Sequence, residues 1–203
     1  MRLVVFVAPF PMVATMKFAR ALSCIEDVML LGIFQSTPNF PEVFDLEIGI
    51  QDVFDVSHLS SLLQQIQQRF GQIHRLVGIL EQLQEPLALL RERFSIEGMG
   101  LVAARKFRDK STMKAALRAA GLPCARSRRV TRFADAVDFA HKTGFPLIVK
   151  PVDGAGCTYT HRVNSMTELR QRLRDAPLDE LLIEEHLSGQ EFSLEVIVTN
   201  GVP

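Results

Sequence analysis

Lys150 lies where a buried apolar run meets a loop of small residues. Residues 146–149 are Pro-Leu-Ile-Val, and residues 153–158 are Asp-Gly-Ala-Gly-Cys-Thr. Taken singly, a lysine at a strand end is usually a solvated cap, and glycines after a strand are usually a turn. Together they suit a nucleoside triphosphate, which needs fixed cations and close backbone N–H groups that only small residues permit. The lysine precedes the glycines, so this is not a Walker A loop, and we predict a different phosphate-binding site.

Two further groups of residues fit the same ligand. Lys110 heads a predicted helix, whose N-terminal dipole favours anions. Glu184 and Glu185 end another buried run, and Glu191 follows a few residues later. Each of these acids alone is more often solvent-facing. An adenosine site has a use for them, because a carboxylate and a strand-exit backbone can bond the adenine edge while a second carboxylate holds the ribose hydroxyls.

The first hundred residues are expected to form a small α/β domain. Residues 3–8 and 28–34 are buried-strand patterns, and the apolar residues between them recur at helical spacing. This order predicts a parallel sheet, and the first turn lacks the Gly-x-Gly-x-x-Gly pattern of a dinucleotide-binding fold. The other elements predicted here are a helix that Ser57 caps and Gly71 ends, a strand at 76–80 and a helix at 86–94.

A connector at 99–110 is predicted to separate this domain from a second unit. Its basic group, Arg105, Lys106 and Arg108, is predicted to be a solvated face. The elements predicted beyond it are helices at 113–120 and 133–144, a strand at 146–149, a helix after the Ser165 and Glu168 capping box, and strands at 181–184 and 192–198.

The last predicted strand has no partner in the sequence. Asn200-Gly201 is a strong hairpin signal, yet only two residues follow it. A strand without a partner leaves an open edge, which favours either self-association, as in a homo-oligomer, or instability. We expect a chain cut off inside a domain.

Composition excludes several classes of protein. Lys+Arg and Asp+Glu both number 23, so no global field attracts nucleic acid or a membrane surface. No apolar run reaches the length of a membrane span. Pro9 and Pro11 interrupt the N-terminal apolar stretch and favour a folded strand over an export signal. Cys24, Cys124 and Cys157 lack metal or redox spacing, which predicts reduced thiols and a cytoplasmic location.

Three segments together resemble the ATP-grasp superfamily, in its biotin carboxylase-like carboxylate–amine ligase branch. They are DKSTMKAALRAAGLP, GFPLIVKPVDGAGCTYTHRV and LIEEHLSGQEFSLEVIV. The resemblance covers residues from about 100 to the end. It implies a pre-ATP-grasp parallel α/β domain at 1–100, followed at 101–203 by the first, incomplete part of an ATP-grasp α+β domain.

The resemblance also implies a role for each site residue. Lys110 and Lys150 match the family lysines that contact the nucleotide phosphates, and Gly154 and Gly156 fall in the glycine loop that closes over them. The family's adenine hinge corresponds to Glu184, Glu185 and Leu187. Its ribose-binding glutamate corresponds to Glu191. The loop has fewer glycines than the loops of the most glycine-rich family members. It also carries Cys157, which we interpret as a small residue that fits the loop rather than as a reactive thiol.

The function implied is ATP-dependent activation of a carboxylate as an acyl phosphate for attack by an amine. The family's Mg²⁺ ligands, a glutamate and a Glu-x-Asn pair, and its arginine for the acyl-phosphate step would lie beyond Pro203. Neither substrate can be read from this sequence, and the chain alone is expected not to turn over ATP. The alternative is a non-catalytic nucleotide-binding or interaction remnant of a truncated or split gene.

Overall fold

The computed structural model of the chain describes residues 1–35, 40–154, 159–175, 181–196 and 198. These residues form two compact units, Met1–Ala120 and Gly121–Pro203. Besides the predicted α/β domain, the first unit contains two further helices, Leu101–Arg108 and Lys110–Ala119, which pack against one another.

The first unit is built on a four-stranded parallel sheet. Its strands are β1 Arg2–Val7, β2 Val28–Phe34, β3 Leu46–Gly49 and β4 Ile73–Val77. Their order is β3-β2-β1-β4, and every pair is parallel, which confirms the predicted sheet type. Its helices are α1 Val13–Ser23, α2 Val56–Phe70, α3 Gln84–Arg93, α4 Leu101–Arg108 and α5 Lys110–Ala119. Apolar side chains from β1 and β2 are fully buried on both faces of the sheet, as expected for parallel strands covered by helices.

Three local predictions for this unit were wrong. Strand β3 was not predicted, and β4 begins at Ile73 rather than at residue 76, since polar His74 and Arg75 obscured an edge strand. The cap of α2 is Asp55 rather than Ser57, because Asp55 Oδ1 accepts from the backbone N–H groups of Ser57 and His58 at 2.9 and 3.0 Å.

The predicted connector at 99–110 contains α4 and the start of α5. Glu92 of α3 accepts from the Leu101 N–H at 2.7 Å and so satisfies one of the free donors that begin α4. Arg105 bonds Glu85 at 3.2 Å, and Arg108 bonds Glu81 at 2.7 Å with only 11% of its side chain exposed. The solvated-face prediction was therefore wrong for Arg108, which pairs with the segment preceding α3.

Arg91 of α3 anchors the end of β4 to the following loop. Its guanidinium is buried and donates to the Leu76 carbonyl from Nε at 3.0 Å and Nη2 at 2.8 Å. A third bond, from Nη1, reaches the Met99 carbonyl at 3.3 Å. A Cβ on Gly98 would lie 2.8 Å from Arg91 Cδ, so a glycine is needed beside the arginine.

We expect Arg91→Met to lower the free energy of unfolding by about 2–3 kcal/mol, because two carbonyls lose a charged donor. Urea denaturation followed by circular dichroism measures this loss. Arg93→Met on the same helix is the matched control and should cost less than about 1 kcal/mol, since Arg93 is exposed and lies over the Phe94 ring. Equal losses in the two variants would contradict the anchoring role.

In its described residues, the second unit is a four-stranded antiparallel sheet with two helices. Its strands are β5 Ser127–Val130, β6 Leu147–Pro151, β7 His161–Val163 and β8 Leu181–Glu185, in the order β5-β8-β6-β7. The helices α6 Phe133–Thr143 and α7 Met166–Asp175 pack on one face of this sheet. The predicted capping box of α7 is confirmed in part, since Ser165 Oγ accepts from the Glu168 N–H at 3.2 Å.

The predicted strand at 192–198 is absent from its described residues. Residues 191–196 have no regular structure, and Phe192 and Leu194 are 84% and 88% exposed. Alternating apolar residues form a strand only beside a partner that accepts and donates hydrogen bonds, and none of the eight strands in the described part of the chain pairs with them. The Asn200-Gly201 turn lies outside the described residues.

Candidate functional site

The sheet of the second unit has one apolar face and one mixed face. Leu147, Val149 and Ile183 belong to the core that α6 and α7 cover. Because successive side chains of a strand point to opposite faces, Lys150 and Glu184 lie on the other face. The register supports this, since Lys150 pairs with Leu182 and Glu184 pairs with Ile148.

Lys150 and Glu184 form an ion pair across β6 and β8. Lys150 Nζ donates to Glu184 Oε1 at 2.5 Å. The lysine side chain is 19% exposed and the glutamate side chain 10% exposed. A pair this shielded interacts more strongly than a surface pair, and it gives the mixed face a cation and an anion held in fixed positions.

Glu185 points away from Lys150 and contacts a different residue. Its carboxylate accepts from the Arg126 backbone N–H and from Arg126 Nε, both at 2.7 Å. The Glu185 N–H in turn donates to the Arg126 carbonyl at 3.0 Å. Glu185 therefore joins the end of β8 to the residue before β5. Sequence reasoning missed Arg126, because no local pattern marks a basic residue as the partner of an acid 59 positions away.

The glycine loop begins directly after β6. A Cβ on Gly154 would lie 3.1 Å from Pro151 Cβ, so the backbone approaches the strand end closely there. Gly156 and Cys157 lie outside the described residues.

The remaining predicted residues of the second unit follow β8 in an irregular segment. Leu187 is 66% exposed, and Glu191 is also exposed. The His186 N–H donates to the Pro146 carbonyl at 3.4 Å, so the segment leaves the sheet beside the start of β6. Exposed backbone at this point is able to bond a ligand.

Lys110 is the first residue of α5 in the first unit. The preceding residue, Asp109, caps the helix by accepting from the Thr112 N–H at 2.7 Å. Lys110 is half-buried and lies at the positive end of the helix dipole. A helix N-terminus with an adjacent ammonium group favours anionic ligands.

The described residues contain neither a membrane-spanning helix nor a cluster of metal ligands. No helix in these residues has the length and apolar content to cross a membrane. Within the same residues, no three His, Cys, Asp or Glu side chains are grouped to hold a metal ion.

The chain matches known proteins in sequence. Residues 109–198 match the family model of the carbamoyl-phosphate synthase L chain ATP-binding domain. The carbamoyl phosphate synthase large chain of Deinococcus deserti is 27% identical over 72% of this chain and 16% of its own length. The D-alanine–D-alanine ligase of Glaesserella parasuis is 31% identical over 82% of this chain and 50% of its own length. The chain thus spans half or less of these relatives.

Solved structures give the same fold. An L-amino acid ligase from Bacillus licheniformis superposes with a TM-score of 0.73 at 17% identity, over 93% of this chain and 45% of the ligase. The biotin carboxylase domain of Hydrogenobacter thermophilus 2-oxoglutarate carboxylase, solved with MgADP and bicarbonate, gives 0.72 at 16% identity over 91% of this chain and 44% of that domain. The sequence matches and the shared fold support the predicted resemblance to the ATP-grasp superfamily, in its biotin carboxylase-like branch.

Proposed function

We propose that this chain supplies the ATP-binding part of a ligase that activates a carboxylate as an acyl phosphate for attack by an amine. The observation that carries the proposal is the Lys150–Glu184 ion pair on the mixed face of the second sheet. Both residues lie within the segment that matches an ATP-binding domain, and the glycine loop follows the strand that carries Lys150.

The ion pair supports this function because it holds a cation at a fixed, shielded position on the mixed face, beside the segment that leaves β8. ATP carries its charge on the phosphates and a hydrogen-bond donor, the 6-amino group, on the adenine. Lys150 Nζ would contact phosphate oxygens while Glu184 Oε1 holds it in place, and the backbone that follows Glu184 would bond the adenine edge. Glu184 also holds the Lys150 ammonium on the mixed face when no nucleotide is bound.

The other site residues complete the proposed contacts. Lys110 adds a second cation for the phosphates, and the small residues around Gly154 and Gly156 let backbone N–H groups approach them. Leu187 contributes backbone to the adenine edge, and Glu191 would hold the ribose hydroxyls. For Glu185 the arrangement supports a positioning role, since its carboxylate is already bonded to Arg126.

The chemistry proposed is transfer of the γ-phosphoryl group of ATP to a carboxylate oxygen. The P–O bond to the leaving ADP breaks as the bond to the carboxylate forms, and an amine then displaces phosphate from the acyl phosphate. Charge on the transferring group needs cations, which the lysines and Mg²⁺ would supply. Mg²⁺ would arrive bound to the nucleotide, and a cytoplasmic supply of MgATP fits the absence of cysteine pairs with disulfide or metal spacing.

The proposal predicts a specific loss in Lys110→Met. Because the ammonium makes a charge-assisted contact with the phosphates, MgATP affinity should fall about tenfold or more. Titration calorimetry of the full 203-residue chain measures this change. Lys106→Met is the matched control, because Lys106 is exposed on the neighbouring helix α4 and its substitution changes the net charge by the same amount. If both variants bind MgATP as the unmodified chain does, the assignment of Lys110 fails.

A further inference from the structure

A cleft separate from the nucleotide site lies on the helix side of the second sheet. It has a volume of about 650 Å³. Its floor is apolar, formed by buried Val130 at the end of β5 and buried Leu173 of α7. Three arginines and one aromatic ring form its walls, Arg132, Arg170, Arg174 and Phe133. We call this site the basic cleft, and its volume is within the range of small-molecule sites.

The basic cleft cannot be part of the proposed nucleotide site. Val130 and Leu173 belong to the apolar core between the sheet and its two helices. Lys150 and Glu184 extend from the opposite face of the same sheet. A ligand in the cleft would therefore be separated from Lys150 by the thickness of the sheet.

Among the described residues, the positive charge of the basic cleft is only partly compensated. Arg132 shares the single carboxylate of Asp135 with Arg128, at 3.4 and 2.9 Å. Burial would raise the pKa of Asp135, but the bonds and charges of Arg132 and Arg128 hold that pKa below its usual range. The carboxylate is therefore ionised at neutral pH and balances one of these two guanidinium groups.

Arg170 and Arg174 lie four residues apart on α7, where like charges destabilise a helix. Within the described part of the chain, neither forms an ion pair with a carboxylate. Arg170 instead lies over the Phe133 ring, with its guanidinium carbon 5.7 Å from the ring centroid. An anion between Arg170 and Arg174 would relieve their repulsion, and planar guanidinium groups bind phosphate oxygens in pairs.

We propose that the basic cleft binds a small organic phosphate monoester. Its phosphate would bond Arg170 and Arg174, and its apolar body would lie on Phe133 and the Val130–Leu173 floor. Phe133 is 42% exposed and so offers a ring that a ligand can cover. An inorganic anion would gain the charge contacts without the apolar ones.

The test uses the full chain and phenyl phosphate as the probe, titrated by NMR with inorganic phosphate and benzyl alcohol as comparisons. Phenyl phosphate should bind at least about tenfold more tightly than phosphate, because its ring covers apolar surface. Arg170→Gln and Arg174→Gln should each weaken it about tenfold or more. Arg172→Gln is the matched control, because Arg172 is on the same helix but does not line the cleft, and its substitution removes the same charge. It should alter the affinity for phenyl phosphate less than twofold.

Lys150→Met separates this inference from the proposed function, because phenyl phosphate should bind that variant unchanged. Equal weakening by Arg172→Gln and Arg174→Gln would reduce the effect to general charge attraction and overturn the proposal. So would equal affinity for phenyl phosphate and inorganic phosphate, or loss of binding in Lys150→Met alone.

Discussion

Lys150→Met should weaken MgATP binding by about 1.5–3 kcal/mol, a factor of roughly 10 to 150 in the dissociation constant. The physical reason is the loss of a compact cation from a shielded position, where only 19% of its side chain is exposed. Titration calorimetry on the full chain measures the change. Lys142→Met is the matched control, because Lys142 is exposed at the end of α6 and carries the same charge.

The same substitution should also reduce stability, which the binding measurement has to take into account. The Glu184 side chain is only 10% exposed, and removing Lys150 takes away the ammonium group that pairs with its carboxylate. Breaking one side of a shielded pair costs more than replacing both sides, because the remaining charge loses its compensation. We expect the single variant to lose about 1–3 kcal/mol in the free energy of unfolding.

A double variant separates the two effects. Lys150→Met with Glu184→Gln removes both charges, so most of the lost stability should return. MgATP affinity should stay low, because the phosphates still lack their cation. Recovery of nucleotide affinity along with stability would mean that Lys150 acts only through the fold and would overturn its proposed contact with ATP.

The pairing of Lys150 shows where sequence reasoning succeeded and where it stopped. A buried run that ends in a lone cation before a small-residue loop was enough to predict a strand and single out Lys150. The sequence also presented two adjacent acids at the end of β8 but did not say which faces the lysine. Strand register decides this, since it puts Glu184 beside Lys150 and turns Glu185 to Arg126.

The errors in the fold have a shared physical origin. Helix α4 has only eight residues and no long apolar stripe, and acids of α3 and of the segment before it bond its first N–H group and two of its arginines. The alternation at 192–198 indicates a strand, but hydrogen-bonding partners decide whether one forms. In both cases the deciding contacts come from residues distant in sequence.

The segment after β8 carries the second large prediction, a preference for ATP over GTP. In the part of the chain that the structure describes, the Leu187 N–H makes no hydrogen bond, and the residue is exposed. An N–H donor matches N1 of adenine, and a nearby acceptor matches its 6-amino group. Guanine reverses both positions, with a protonated N1 and an oxygen at position 6, so each contact becomes a mismatch.

We therefore expect ATP to bind at least about tenfold more tightly than GTP, since each unmatched polar group costs about 1–3 kcal/mol. Competition titration against a fluorescent ATP analogue measures the ratio. Inosine triphosphate is the informative comparison, because it has the guanine pattern at N1 and position 6 without the 2-amino group. It should bind as weakly as GTP if the hydrogen-bonding edge is read, whereas affinity close to that of ATP would assign the preference to size alone.

Leu187→Pro tests the same contact from the protein side. Proline removes the backbone N–H, so ATP affinity should fall while GTP affinity changes little, and the ratio between them should approach one. Leu187→Ala is the matched control, because it keeps the N–H and removes a side chain that is 66% exposed. Its nucleotide preference should match that of the unmodified chain. If Leu187→Pro keeps the full preference for ATP, the adenine edge is not read by the Leu187 backbone, and this part of the site assignment is wrong.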